Sequence, residues 1–347
     1  MRLLVVGAFR WHNGSSHVIR EYVRHAALAE MEIAVSRELG KRDNVITRYL
    51  PYCDDLDWAT HVLVVFEGTP FLSSGDIERI DRAVPRSRRA VIDADGHWGS
   101  RIAVDDDDNT WPCGLDAWRE RIGEVADLVL QPALGRAAEG AIAFPYFGLP
   151  PRGRRRAGLR RKRVEVQYVG SNWFRADALL EVMSAARQAF GASGRLRVCG
   201  TYWDGRTMRG FESATSVDTE CLRRLDVEVR PPVPFGTVIS FMGDALLTPV
   251  LVRPVLGALQ FLTPRMLETL AAETLPVYRE EDRYLRELYL DDDGDFSLEK
   301  GSEEFFARVS RDRRRLSKTA REIHARLSQR LSYPVLVREL RDIFTSG

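Results

Sequence analysis

The chain has 347 residues, 44% of them hydrophobic and 29% charged, with a formal net charge of +1. That length allows two domains with full cores, and the near-neutral balance argues against a protein whose whole surface grips nucleic acid. Four cysteines (Cys53, Cys113, Cys199 and Cys221) lie far apart in no metal-ligand spacing, which points to free thiols in a reducing compartment.

The chain opens directly on strand-like residues 3–6, without a basic-then-apolar leader. No apolar run approaches the roughly 20 residues of a membrane span. A cytoplasmic location is therefore expected. Residues 3–6, 45–50, 62–66, 90–92, 128–130 and 141–144 are short apolar runs rich in β-branched side chains. Helical patterns separate them, most clearly over 18–39 and 74–84. Continuous apolar strands alternating with helices predict a parallel sheet covered on both faces. Three strand ends in this half carry polar or aromatic loops. The first holds Trp11, His12, Asn13, Gly14 and Ser15, where Asn13-Gly14 favours a tight turn and Ser15 or Ser16 suits a helix cap. The second holds Glu67, and the third Asp93, Asp95 and His97. The acidic runs 105–108 and 291–293 adjoin loop residues and read as solvated loops, not as metal ligands.

Composition changes abruptly after Pro150. Residues 152–163 hold eight cationic side chains in twelve positions and no apolar periodicity, the mark of a linker. With no aromatics interleaved for base stacking, nucleic acid is not expected as its partner. The βα rhythm then restarts: strand 164–169, helix 179–190, strands 196–199 and 227–229, and a short element at 238–242. The predicted organisation is residues 1–150, a basic linker 151–163, a second domain 164–330 and a closing helix 331–347. The fold class is α/β, with two Rossmann-like, doubly wound parallel sheets facing across a cleft, and ligands bind such sheets outside the carboxyl ends of their strands.

The most informative stretch is 263–272. Thr263 can cap a helix, Pro264 suits its first position, and Arg265 and Glu268 share a face at spacing i, i+3. A helix start carrying an arginine favours an anion, and a carboxylate one turn on can accept hydroxyls. This suits a sugar nucleotide, with pyrophosphate on the amides and ribose on the glutamate. The strand 275–278 follows.

Residues 168–175 (Tyr-Val-Gly-Ser-Asn-Trp-Phe-Arg), 198–203 (Val-Cys-Gly-Thr-Tyr-Trp) and 263–268 (Thr-Pro-Arg-Met-Leu-Glu), in that order, resemble the C-terminal half of GT-B glycosyltransferases, with the spore-maturation-protein (CgeB-like) family nearest in flavour. The segment from Tyr333-Pro334 to Arg338 resembles that family's closing helix. The resemblance implies a transferase moving a sugar from a nucleoside diphosphate, UDP or dTDP favoured, to a small-molecule or polymeric glycan acceptor, as a monomer or homodimer. It implies no metal and no cofactor besides the donor. On the donor side it assigns Glu268 to the ribose, and Pro264, Arg265, Met266 and Leu267 to the diphosphate. Gly170, Ser171, Asn172, Arg175, Thr201 and Tyr202 form the facing loops, and Val233 lies in a proline-stiffened segment placed for the base. Trp11, Asn13, Gly14, Ser15 and Glu67 would meet the acceptor. If the reaction inverts, a general base is needed near the acceptor hydroxyl. Asp95 and His97 are the first candidates, with His12 and His17 behind them.

Two positions depart from the family. Gln260 stands where retaining members often carry a second glutamate, which leaves the stereochemistry open. Glu273 stands where a glycine often closes the helix, at a cost of roughly 1 kcal/mol if the backbone is left-handed there. A non-catalytic binding protein of the same fold and a GT-B-type sugar-nucleotide epimerase are the alternatives. A dehydrogenase is disfavoured because Gly7 and Gly14 do not make the G-x-G-x-x-G spacing.

Overall fold

The computed structural model describes residues 1–7, 14–39, 50–65, 72–98, 115–150, 162–291, 294–298 and 303–346, with backbone alone at 14–15 and 115–119. The expected strand 45–50 falls outside these apart from Leu50, as do residues 151–161 of the basic run. The chain forms two compact units. The first comprises Met1–Gly148, Ala258–Leu262 and Arg330–Gly347; the second comprises Leu149–Gly257 and Thr263–Gln329.

The first part of the chain contains β1 (Arg2–Val6), α1 (Gly14–His25), β2 (Glu32–Val35), β3 (His61–Val65), α2 (Ser74–Ala83), β4 (Arg89–Ile92), α3 (Leu115–Val125), β5 (Leu128–Gln131) and β6 (Ala141–Ala143). Its six strands pair in parallel in the order β2-β1-β3-β4-β5-β6. Leu4, Val6, Val62, Val64, Val91 and Val129 pack on one face with Ile77, Ile80 and Ile122. Leu3, Val5, Leu63, Ile92 and Leu130 are equally buried. Burial of both side-chain sets explains why these strands read as unbroken apolar runs.

The expected helix over 18–39 is shorter. It ends at His25, a 3-10 turn covers Ala26–Ala29, Glu30 turns the chain with a left-handed φ of 52°, and β2 follows. The Ala-rich stretch has good helix propensity, but Ile33, Ala34 and Val35 gain a parallel pairing with β1, and tertiary pairing outweighs local preference.

The second part contains β7 (Val164–Val169), α4 (Ala176–Phe190), β8 (Leu196–Cys199), α5 (Glu212–Thr215), α6 (Thr219–Arg224), β9 (Val227–Arg230), α7 (Val238–Met242) and β10 (Ala245–Pro249). It continues with α8 (Pro254–Ala258), α9 (Pro264–Ala271), β11 (Leu275–Arg279), α10 (Tyr284–Tyr289), β12 (Ser297–Leu298), α11 (Glu304–Leu331) and α12 (Tyr333–Ser346). This sheet is also parallel, in the order β12-β11-β10-β7-β8-β9. The inner strand β10 has no counterpart in the sequence expectations. Helix α12 packs in the first unit, where the Tyr22 and Tyr333 rings meet edge to face at 5.7 Å and the Tyr22 hydroxyl donates to the Tyr146 carbonyl at 3.1 Å. Among the described residues no helix is long and apolar enough to cross a membrane.

Candidate functional site

In the second unit, Thr263 stands at the N-cap of α9 in extended conformation (φ −121°, ψ 155°), and Pro264 opens the helix. The Met266 amide donates to the Thr263 carbonyl at 3.2 Å, and the Thr263 amide to Met266 Sδ at 3.4 Å. Met266 and Leu267 point their side chains fully into the core, so only their backbone can meet a ligand. Arg265 Nη1 lies 2.8 Å from Glu268 Oε2, across the i, i+3 face that their spacing predicts. The contact is an ion pair without hydrogen-bond alignment. Glu268 is 6% exposed and its Oε2 has no hydrogen-bond partner. A carboxylate oxygen is thus held at a helix start with acceptor capacity unspent. Glu273 beyond the helix has φ 53°, so the non-glycine residue does occupy a left-handed position.

The loops after β7 and β8 are fastened backbone to backbone. The Gly170 amide donates to the Cys199 carbonyl at 2.8 Å, and Trp203 Nε1 donates to the Gly170 carbonyl at 2.7 Å. A Cβ on Gly200 would stand 2.0 Å from the Gly170 oxygen, so only glycine permits this approach. Thr201 Oγ1 and Ser171 Oγ are 2.6 Å apart. Asn172 is fully buried, and its Nδ2 donates to the Thr215 and Ser216 carbonyls at 3.0 and 2.7 Å. Its side chain is spent on holding the loop. Tyr202 is half-buried with φ 65°. Arg175 precedes α4 and donates from Nε to the Leu251 carbonyl at 3.1 Å and from Nη1 to the Ser171 carbonyl at 3.3 Å. That ties the arginine across the ends of β7 and β10. Val233, half-buried with Ile239 and Phe241, packs on Val169, Cys199, Val238, Met242 and Ala272, an apolar floor beside these loops. Burial pushes the Cys199 thiol up, and its Sγ donates to the Pro231 carbonyl at 2.8 Å. Gln260 lies in the first unit, exposed, with φ 54° and its carbonyl taking the Leu134 amide at 3.1 Å.

In the first unit the turn after β4 is built around Asp93, which is fully buried. Its Oδ1 accepts the Gly96 and His97 amides at 3.1 and 3.0 Å; its Oδ2 accepts the Trp98 amide at 2.9 Å and Gln131 Nε2 at 2.8 Å. Burial alone would raise this carboxyl, but His97 and these donors outweigh it and hold it below the usual range. His97 is 3% exposed, with Nδ1 3.7 Å from Asp93 Oδ1. Asp95 is half-buried in the same turn. Asp95 and His97 are the expected bases, whereas Asp93 and Gln131, which hold the turn, are not marked by the sequence as its anchors. The sequence signal for Asp93 is its place three residues before Gly96, where a carboxylate can accept local backbone amides. Trp11, His12, Asn13 and Glu67 lie outside the described residues, and at Gly14 and Ser15 only the backbone is described. The acidic run 105–108 and residues 292–293 are outside too. Asp291 is buried and accepts the Tyr278 hydroxyl at 2.7 Å and the Asp295 and Phe296 amides at 2.7 and 2.9 Å, a structural knot.

No family model and no curated protein matches the chain. Solved structures do. An alpha-glucosyltransferase in complex with UDP-glucose and DNA containing an abasic site matches with a TM-score of 0.67 at 11% identity, over 99% of each chain. Anabaena HepE in complex with UDP-glucose gives 0.65 at 12% identity over 100% of each. T4 phage BGT in complex with UDP and Mn2+ gives 0.58 at 12% over 99% of each. At such identities the likeness establishes the fold, which is GT-B. The expectation that no metal takes part is overturned by the last of these, because a protein of this fold binds UDP together with Mn2+. Among the described residues no three or more His, Cys, Asp or Glu side chains gather as ligands for such an ion.

Proposed function

We propose that the chain is a glycosyltransferase that takes glucose from UDP-glucose, with the second unit as its donor-binding half. The single observation that carries this is the start of α9, where Arg265 and the buried, unspent Glu268 oxygen share one turn. A ribose hydroxyl can donate to Glu268, and Arg265 with the first amides of α9 can neutralise the diphosphate. Matching structures with UDP or UDP-glucose bound support the choice of donor. Within the fold, the motif order at 168–175, 198–203 and 263–268 favours the CgeB-like transferases. In the reaction the bond from the sugar's anomeric carbon to the diphosphate oxygen breaks, and a bond to the acceptor oxygen forms. The developing negative charge on UDP falls to Arg265 and Arg175. If the reaction inverts, the acceptor proton would pass to His97 or Asp95, with Asp93 holding the turn that carries them.

Calorimetric titration of UDP, with Mn2+ present, tests this in the wild type and in Glu268→Gln. A hydrogen bond to a charged group contributes about 1.5–3 kcal/mol, so the variant should bind UDP roughly ten to a hundred times more weakly. No binding by the wild type, or equal binding by both, overturns the reading.

A hydroxyl carried on DNA is the second reading of the acceptor. It is favoured by matching alpha-glucosyltransferases in complex with DNA, one of them with a 13-mer containing an HMU base. UDP release from UDP-glucose in the presence of HMU-containing duplex, set against unmodified duplex, separates it from a glycan acceptor.

A further inference from the structure

The turn after β11 concentrates polar atoms that the protein leaves without hydrogen-bond partners. Arg279 Nε, Asp282 Oδ2 and Tyr284 OH are all buried and unpartnered within six residues. Asp282 is 7% exposed and Tyr284 8%. Asp282 Oδ2 stands 3.6 Å from Arg279 Nε, beyond hydrogen-bond length, while Arg279 Nη1 is drawn to Glu281 at 2.8 Å. Across from the carboxylate is Gly257, where even a Cβ would stand 3.4 Å from Asp282 Oδ1. Buried polar groups are normally hydrogen-bonded, so an ion pair stretched to 3.6 Å beside an unpartnered hydroxyl is a cost to the free protein that a ligand can reduce.

Their position narrows the ligand. Helix α9 runs from the carboxyl end of β10 back to the amino end of β11. The first turn of α9 and the turn after β11 therefore lie at the same end of the sheet, where doubly wound folds take ligands. Their chemistry narrows it further. Asp282 Oδ2 only accepts, Arg279 Nε only donates, and the Tyr284 hydroxyl does either. A phosphate would meet the Asp282 carboxylate, and a cation would meet Arg279. A neutral group that both donates and accepts satisfies all three, and two neighbouring hydroxyls do so at once.

We propose that Arg279, Asp282 and Tyr284 form a subsite that binds hydroxyl groups of the transferred hexose. This rests on the donor reading above and adds to it the residues that recognise the sugar, separate from those assigned to the nucleotide. Asp282 and Tyr284 act by touching the sugar; Arg279 sets the charge beside them.

The test is calorimetric binding of UDP and of UDP-glucose to the wild type, Asp282→Asn and Tyr284→Phe. Both variants keep the shape of the side chain, and thermal melting checks that they fold. The expected result is a loss of tenfold or more in UDP-glucose affinity in each variant, with UDP affinity unchanged. UDP-glucose bound as tightly as by the wild type overturns the subsite while leaving the donor reading intact. Equal weakening of UDP and UDP-glucose also overturns it, by showing a general structural effect. A wild type that binds neither ligand overturns the donor reading, and the subsite falls with it.

Discussion

Replacing Asp282 by asparagine should stabilise the ligand-free protein. Burial pushes the Asp282 carboxyl from 3.8 up to about 6, Arg279 opposes that rise and Glu281 adds to it. A rise of about two units corresponds to about 3 kcal/mol at 1.36 kcal/mol per unit. The sign follows from linkage. The folded chain holds this proton more tightly than the unfolded one. Its contribution to stability is therefore fully present below pH 4 and is lost as pH climbs through about 6. Asparagine carries no charge and loses nothing over that range. The wild type and variant should differ little at pH 4, diverge between pH 4 and 6, and stay apart above that. At pH 7.5 the variant should be the more stable by about 1–3 kcal/mol, the upper figure being the full linkage value. Because the chain forms two units, a whole-molecule transition would mix their stabilities. Hydrogen exchange of the β11 amides reads the second unit alone. A variant equal to or weaker than the wild type at pH 7.5, with a difference that does not change with pH, refutes the reasoning.

Two further predictions concern the scaffold. Asp93→Ala removes the acceptor of three backbone amides and of Gln131. Orphaned donors cost about 1–3 kcal/mol each, so hydrogen exchange of the β4 amides, which reads the first unit alone, should show it losing at least about 3 kcal/mol. Because Asp93 is held below its usual value, its contribution in the wild type is present above the ordinary aspartate range and is lost as pH falls through the lowered value. Gly200→Ala drives a methyl into the Gly170 carbonyl. Overpacking of this kind costs about 1–3 kcal/mol, and forcing apart the β7 and β8 ends should weaken UDP as well. A drop in melting temperature without a change in UDP affinity would separate these loops from the donor site.

What the sequence disclosed follows from the range of the forces involved. Strands β1, β3, β4 and β7 are visible because both of their faces are largely buried and apolar residues predominate, although Arg2, His61, Arg89, Glu165 and Gln167 also lie in them. Strand β2 is hidden behind Ala26–Ala29, whose propensity favours helix until the β1 pairing decides otherwise. Strand β10 is hidden by Pro249 and by the prolines around it, although Pro249 sits at the last position of the strand, where it pairs in register with Val277. The Arg265–Glu268 pair is legible because it is local: spacing of three on a helix sets the contact. The Arg279, Asp282 and Tyr284 group was not, because nothing in its spacing marks it. It is defined by what fails to reach those atoms, and only the packed turn shows that.

The buried carboxylates divide by how fully the protein satisfies them, and that division separates scaffold from site. Asp93 is saturated by four donors and its carboxyl is held low. Asp291 takes three donors and closes a knot beneath β12. Both make the free protein more stable, so their presence needs no ligand to explain it. Glu268 and Asp282 are the opposite, each with a buried oxygen that no described residue hydrogen-bonds, and the Asp282 carboxyl is pushed up as a result of its burial. Each is paired only with an arginine, Glu268 with Arg265 and Asp282 with Arg279, and without hydrogen bonds such pairs repay little of the cost of burying them. Both lie towards the carboxyl end of the second sheet, one on the second turn of α9 and the other after β11. Acceptors without hydrogen bonds at the ligand end of a parallel sheet suit a hydroxyl-rich molecule, and under the donor reading proposed above Glu268 would meet the ribose and Asp282 the sugar.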